Sequence, residues 1–91
     1  MATLQGHEDR VWSLAVLEGG QLASSSDDQK IKIWDLANGA CVATLRGHED
    51  SVESLAVLDS GRLASGSADD TIKIWDSALP DVLRSSELLH M

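Results

Sequence analysis

The chain says much the same thing twice, and no other feature constrains its fold so strongly. "ATLQGHED" at Ala2–Asp9 returns as "ATLRGHED" at Ala43–Asp50, and "IKIWD" at Ile31–Asp35 returns at Ile72–Asp76. The shift is about 41 residues, and about two-thirds of aligned positions are identical. A repeat of that length is one supersecondary unit, which cannot cover its own apolar faces without neighbours. Two copies are too few to stand alone, so the chain is expected to be a piece of a larger object. The near-identity points to recent amplification, consensus design or excision from a longer repetitive protein, and the residues leave that choice open.

Of the 91 residues 43% are apolar, yet there is no Phe and no Tyr. Aliphatic residues and the three tryptophans, Trp12, Trp34 and Trp75, must therefore fill the core. The formal net charge of -8 argues against a nucleic-acid partner, because phosphate backbones call for clustered Lys and Arg. It suits basic or neutral protein partners instead. Cys41 is the one cysteine, which excludes an intrachain disulfide framework and fits a reducing compartment. Its expected place is that of a small buried apolar residue. No charged-then-apolar leader opens the sequence, and no apolar run approaches membrane-spanning length. The expectation is a soluble, unsecreted protein of the cytoplasm or another reducing compartment, with no membrane partner.

Each repeat reads as four short strands joined by tight turns, a meander with little helix. The first strands are Val11–Leu17 and Val52–Leu58, apolar or small on both faces, which suits inner strands covered on both sides. Glu18-Gly19-Gly20 and Asp59-Ser60-Gly61 are the hairpin turns that follow. Second strands at Gln21–Ser26 and Arg62–Ser67 lead through Asp-containing turns to third strands at Lys30–Asp35 and Thr71–Asp76. Asn38-Gly39 is a type I′ hairpin signal that introduces a fourth strand, Ala40–Arg46. The pattern breaks after Trp75-Asp76. In the tail, Pro80, Asp81 and His90 are helix signals, whereas Val82-Leu83 would suit an irregular outer strand. A short helix or a poorly ordered tail is the preferred reading.

Gly6-His7 and Gly47-His48, each followed after roughly 27 residues by Trp-Asp (Trp34-Asp35 and Trp75-Asp76), resemble the WD-repeat (WD40) family of β-propellers. The resemblance covers residues 2 to about 78. It implies an all-β fold: two four-stranded antiparallel blades, completed into a closed β-propeller by homo-oligomerisation. The units expected are 1–46 with its outer strand, 47–78, and a divergent tail at 79–91. The family's hydrogen-bonded tetrad would fall on His7, Ser24, Asp28 and Trp34, and again on His48, Ser65, Asp69 and Trp75. A partly buried carboxylate and an indole N–H each need a partner, and an imidazole with a hydroxyl can link them.

Ser, His and Asp together also suggest a hydrolase. The set occurs once per repeat at constant spacing, as a structural device would, and neither a nucleophile elbow nor an oxyanion loop accompanies it. No catalytic residue, cofactor or metal site is expected. The histidines have no ligand spacing, and the acidic pairs lack the oxygen set of a Ca²⁺ loop.

Propellers close rings of about 4–8 blades, so whole two-blade chains make even-numbered rings only. Three copies give six blades and four give eight, with four preferred. Ala2, Thr3, Leu4 and Gln5 align with the end of the fourth strand and are expected to pair with the second blade of the preceding chain. By resemblance, partner-facing positions fall on Arg10, Trp12 and Asp27, and on Ser51, Glu53 and Ala68, where the repeats differ while the tetrads do not. Trp12 is the natural interface anchor among them. Three classes of function follow: a self-assembling scaffold, an excised module of a larger adaptor that binds a protein or peptide, and, least supported, an enzyme.

Overall fold

Among the described residues, two antiparallel sheets stack face to face. A computed structural model describes residues 1–58 and 61–76. Strands β1 (Val11–Leu17), β2 (Gln21–Ser26), β3 (Ile31–Asp35) and β4 (Ala40–Leu45) form the first sheet in that order. Strands β5 (Val52–Val57), β6 (Arg62–Ser67) and β7 (Ile72–Asp76) form the second. There is no α-helix among the described residues. Strand ends fall within one residue of the positions read from alternation and turn chemistry. The turn residues Asp59-Ser60, the second unit's fourth strand and the tail helix all lie outside the described residues.

Cross-strand partners share a face, so register sorts the side chains. Ser13, Ser25, Ile31 and Leu45 align across the first sheet, as do Ala15, Ala23, Ile33 and Ala43. This face meets the second sheet, and all eight residues are buried or half-buried. Ile31, Ile33 and Leu45 join Val52, Leu63 and Trp75 in one core. The corresponding face of the second sheet carries Ile72, Ile74 and Ala56, and among the described residues no sheet is stacked on it. Ile72 is accordingly 77% exposed, whereas its equivalent Ile31 is fully buried. The opposite end of the stack shows the same contrast. Val52 is fully buried against the first sheet, but its equivalent Val11 is 51% exposed, with Leu14 and Val16 beside it. β1 is thus covered on one face only, not on the two its sequence calls for.

Both first strands carry a β-bulge, and it falls at the same place. Val11 pairs with Ser26 and Ser13 with Ser25, which leaves Trp12 as the extra residue. Val52 pairs with Ser67 and Ser54 with Gly66, which leaves Glu53. A bulge re-aims the side chain it carries, and both of these point to solvent. A third bulge sets Ile33 opposite Ala43 but Trp34 opposite Cys41, so Val42 is the extra residue of β4.

Two expectations need correction. Asn38-Gly39 does not form a type I′ turn, which would need positive φ at both residues. Only Gly39 has it, at 74°. The loop between β3 and β4 spans four residues and is closed by Gly39 N donating to Asp35 O at 2.7 Å. Cys41 is exposed, not buried. It sits on the outer strand, next to the Val42 bulge, and its thiol lies 3.3 Å from Ala43 O and 3.8 Å from Thr44 Oγ1 of the same strand.

The Ser25 hydroxyl is buried between the sheets and finds no hydrogen-bond partner among the described residues. Stranding such a group costs about 1–3 kcal/mol. Ser25→Ala should therefore raise unfolding stability by about 1 kcal/mol in urea titration. A loss of similar size would mean that the hydroxyl is satisfied.

Candidate functional site

The segment before each first strand crosses the face of its own sheet and is fastened there by a chain of hydrogen bonds. Trp34 Nε1 donates to Ser24 Oγ at 2.8 Å, and Ser24 Oγ lies 2.6 Å from His7 Nε2. His7 Nδ1 lies 2.8 Å from Asp28 Oδ2. One proton per contact satisfies the chain if the imidazole carries its hydrogen on Nδ1 and the serine hydroxyl donates to Nε2. The second unit repeats this geometry. Trp75 Nε1 to Ser65 Oγ is 2.8 Å, Ser65 Oγ to His48 Nε2 is 2.7 Å, and His48 Nδ1 to Asp69 Oδ2 is 2.9 Å. His7 stands edge-on to Trp34 at 6.2 Å, and His48 to Trp75 at 6.3 Å.

Glycine precedes each histidine because the backbone presses on the indole. A Cβ on Gly6 would come within 3.1 Å of Trp34 Cη2, and one on Gly47 within 3.3 Å of Trp75 Cη2. The carboxylates finish the fastening. Asp28 accepts Glu8 N and Lys30 N, both at 3.0 Å, and so ties the segment before β1 to the turn before β3. Asp69 does the same with Glu49 N and Thr71 N, both at 2.9 Å.

The serine of each Ser-His-Asp set is held inside the hydrogen-bond chain. Ser24 and Ser65 are buried, and each hydroxyl oxygen already accepts an indole N–H. Among the described residues no three His, Cys, Asp or Glu side chains converge as metal ligands would.

The six positions expected to face a partner lie at the starts of β1 and β5 and in the turns that follow β2 and β6. Asp27 Oδ1 accepts Trp12 Nε1 at 2.5 Å from its own sheet and Ser51 Oγ at 2.6 Å from the next. Asp27 N donates to Arg10 O at 2.9 Å, and Ala68 N to Ser51 O at 3.0 Å, so Arg10 and Ser51 hold equivalent places. Trp12 remains half-exposed, and Glu53 sits exposed on the second bulge. Sequence reasoning missed the two bulges and the Asp27–Ser51 bond across the sheets. The Trp12-for-Glu53 exchange was the only hint of the former. Ala2–Gln5 form no strand in the single chain; Ala2, Thr3 and Leu4 line one recess together with the Leu36–Gly39 turn, and Leu4 packs beside Gly39.

The model of the WD domain, G-beta repeat, matches residues 1–35 and 39–76. The chain belongs to the WD-repeat family. Its WD repeats are similar to those of cell division control protein 4 of Saccharomyces cerevisiae, 42% identical over 38 residues, or 42% of this chain and 5% of that protein. Vegetative incompatibility protein HET-E-1 of Podospora anserina is 58% identical over 38 residues, 41% of this chain and 3% of its own length. A probable cytosolic iron-sulfur protein assembly protein CIAO1 homolog of Ixodes scapularis is 44% identical over 43 residues, 46% of this chain and 14% of its own. The chain thus aligns with a small fraction of each relative, about the length of one WD repeat.

Electrostatics show what the carboxylates of these WD repeats depend on. Burial pushes the Asp28 carboxyl up, but the N–H groups of Glu8, His7 and Lys30 together outweigh it and hold the group below its ordinary range. Asp69 is held down more strongly, first by the Thr71 hydroxyl and then by Glu49 N–H, with His48 adding to them. A carboxyl whose folded pKa is depressed contributes stability above its unfolded pKa, and that contribution fades as pH falls through the folded pKa. Unfolding midpoints measured between neutral pH and about pH 3 should therefore fall on the acid side, starting near pH 4. Asp28→Asn with Asp69→Asn should flatten that limb. An unchanged acid limb in the double variant would remove these carboxylates as its cause.

Proposed function

We propose that this chain is a non-enzymatic propeller unit of two blades, which associates head to tail into a ring and serves as a protein-interaction scaffold. WD repeats typically mediate protein–protein contact. The observation that carries the assembly reading is the paired exposure of Ile72 and Val11, whose equivalents Ile31 and Val52 are buried against each other's sheets inside the chain. The two open faces are copies of the two halves of the closed junction. Head-to-tail stacking of a second chain would bury both with packing the chain already contains. Continued around the circle, four copies give eight blades, and three would give six. Residues 2–4 would then add to β7 as Ala43–Leu45 add to β3, with Leu4 opposite Ile72 as Leu45 is opposite Ile31.

A second reading has its own support. The chain spans only 3% to 14% of the relatives compared. Two blades of a larger WD-repeat adaptor would show the same open faces, covered there by neighbouring blades of one polypeptide. In either setting the partner surface is the end that carries Trp12 and Asp27, and a peptide or protein is the ligand class, with no cofactor involved.

Native mass spectrometry of the 91-residue chain at micromolar concentration is expected to show a discrete species of four copies. Ile72→Lys should abolish that species, because it puts a charge into the exposed face that a second chain would cover. A wild-type chain that is folded, cooperative in melting and monomeric would overturn the assembly reading. Polydispersity would favour the excised module. Peptides selected from a display library on the assembled protein should lose most of their binding to Trp12→Ala at unchanged assembly mass. Peptides that bind both proteins alike would place the ligand surface elsewhere.

A further inference from the structure

The junction inside the chain and the junction between chains are built from the same positions but not from the same residues. Inside the chain, Trp12 on its bulge and Ser51 from the neighbouring sheet both end on one oxygen of Asp27. Side chains at these two positions therefore converge on a single point at the rim of the junction. Moving each position forward by one repeat, about 41 residues, gives the corresponding set at the outer face of the second sheet. Trp12 becomes Glu53, Asp27 becomes Ala68, and Ser51 becomes Arg10 of the next chain. The equivalence is structural as well as sequential. Glu53 occupies the same bulge as Trp12, and the backbone of Ala68 bonds to Ser51 as that of Asp27 bonds to Arg10.

The geometry points to an ion pair between Glu53 of one chain and Arg10 of the next, closing the seam of the head-to-tail ring. This inference rests on the assembly reading above. Three residue choices agree with it. Glu53 and Arg10 are exposed and opposite in charge, and each replaces a neutral residue of the internal junction. Ala68 withdraws the acceptor that bridges the internal junction and leaves room for the long guanidinium arm. Asp27 on Arg10's own sheet adds a second carboxylate field; the Ser51 and Trp12 hydrogen bonds hold that carboxyl ionised, with the Arg10 charge adding to them. Ser51, by contrast, is committed to Asp27 and offers Glu53 no charge. The pair therefore labels one junction as the seam, and Arg10 and Glu53 belong to it and not to the ligand surface. Charge placement of this kind governs specificity through the repulsion it creates in wrong pairings.

Charge exchange tests it in the full chain. Arg10→Glu and Glu53→Arg each put like charges at every seam and should raise the concentration at which rings dissociate at least about tenfold. Carrying both exchanges in one chain restores opposite charges at every seam and should bring that concentration back toward the wild-type value. An equimolar mixture of the two single variants should also form rings, with the variants alternating, because each then meets its complement. Alternation closes only for an even number of chains, so a four-copy ring gives a mass with two of each variant. Single variants that assemble like wild type, or a double variant no better than either single one, would overturn the seam pair and leave ring assembly standing. A monomeric wild type would overturn both.

Discussion

A sheet with apolar side chains on both faces has no side to give to water, and the rest of this structure follows from that. Ile31 and Ile33 are buried because the second sheet covers them; Ile72, in the same sequence context, is open because among the described residues no sheet covers it. The backbone ladders join strands within one sheet only, so neighbouring sheets meet through side chains. Junctions of this kind can be repeated any number of times without new local structure. Oligomer, longer chain and closed ring are thus variations on one contact.

The tetrads serve that contact indirectly. A sheet can be stacked only if the segment linking it to its predecessor is held flat, and here that segment lies on an indole and is pinned through imidazole to a turn carboxylate. The buried polar atoms of the pin are mutually satisfied, and low local dielectric strengthens such a network. Because both ends of the chain of bonds lie within one sheet, each unit carries its own fastening and needs no partner to complete it. This is why His7 and Asp28 are already in place in the first sheet, whose outer face is uncovered.

Much of this was legible in the residues. Alternation gave β1, β2 and β3 and their copies to within a residue, since side-chain period and turn chemistry are local properties. The bulges at Trp12 and Glu53 were not legible, because a bulge is a property of pairing between strands and leaves the apolar pattern of either strand intact. Cys41 was misplaced for a related reason. Its composition suits a core, but its position on the outer strand, beside an extra residue, is set by where the sheet stops. Asn38-Gly39 carries the composition of a two-residue hairpin. Trp34 pairing with Cys41 instead of Val42 lengthens the loop to four residues, and only the glycine then needs a left-handed backbone. The exposure of β1 was beyond sequence reading altogether, since it depends on what else is present in solution.

The extra residue at Val42 also bears on how such units avoid clumping sideways. Strand β4 is the outermost of the first sheet, and Ala40, Cys41 and Val42 are open to solvent. A straight, exposed strand border invites another molecule to zip onto it, as in amyloid. The kink at Val42 spoils the regular spacing of amide and carbonyl groups along that border. Growth by lateral zippering is thereby blunted, and piling sheet upon sheet is left as the easier direction for molecules to meet.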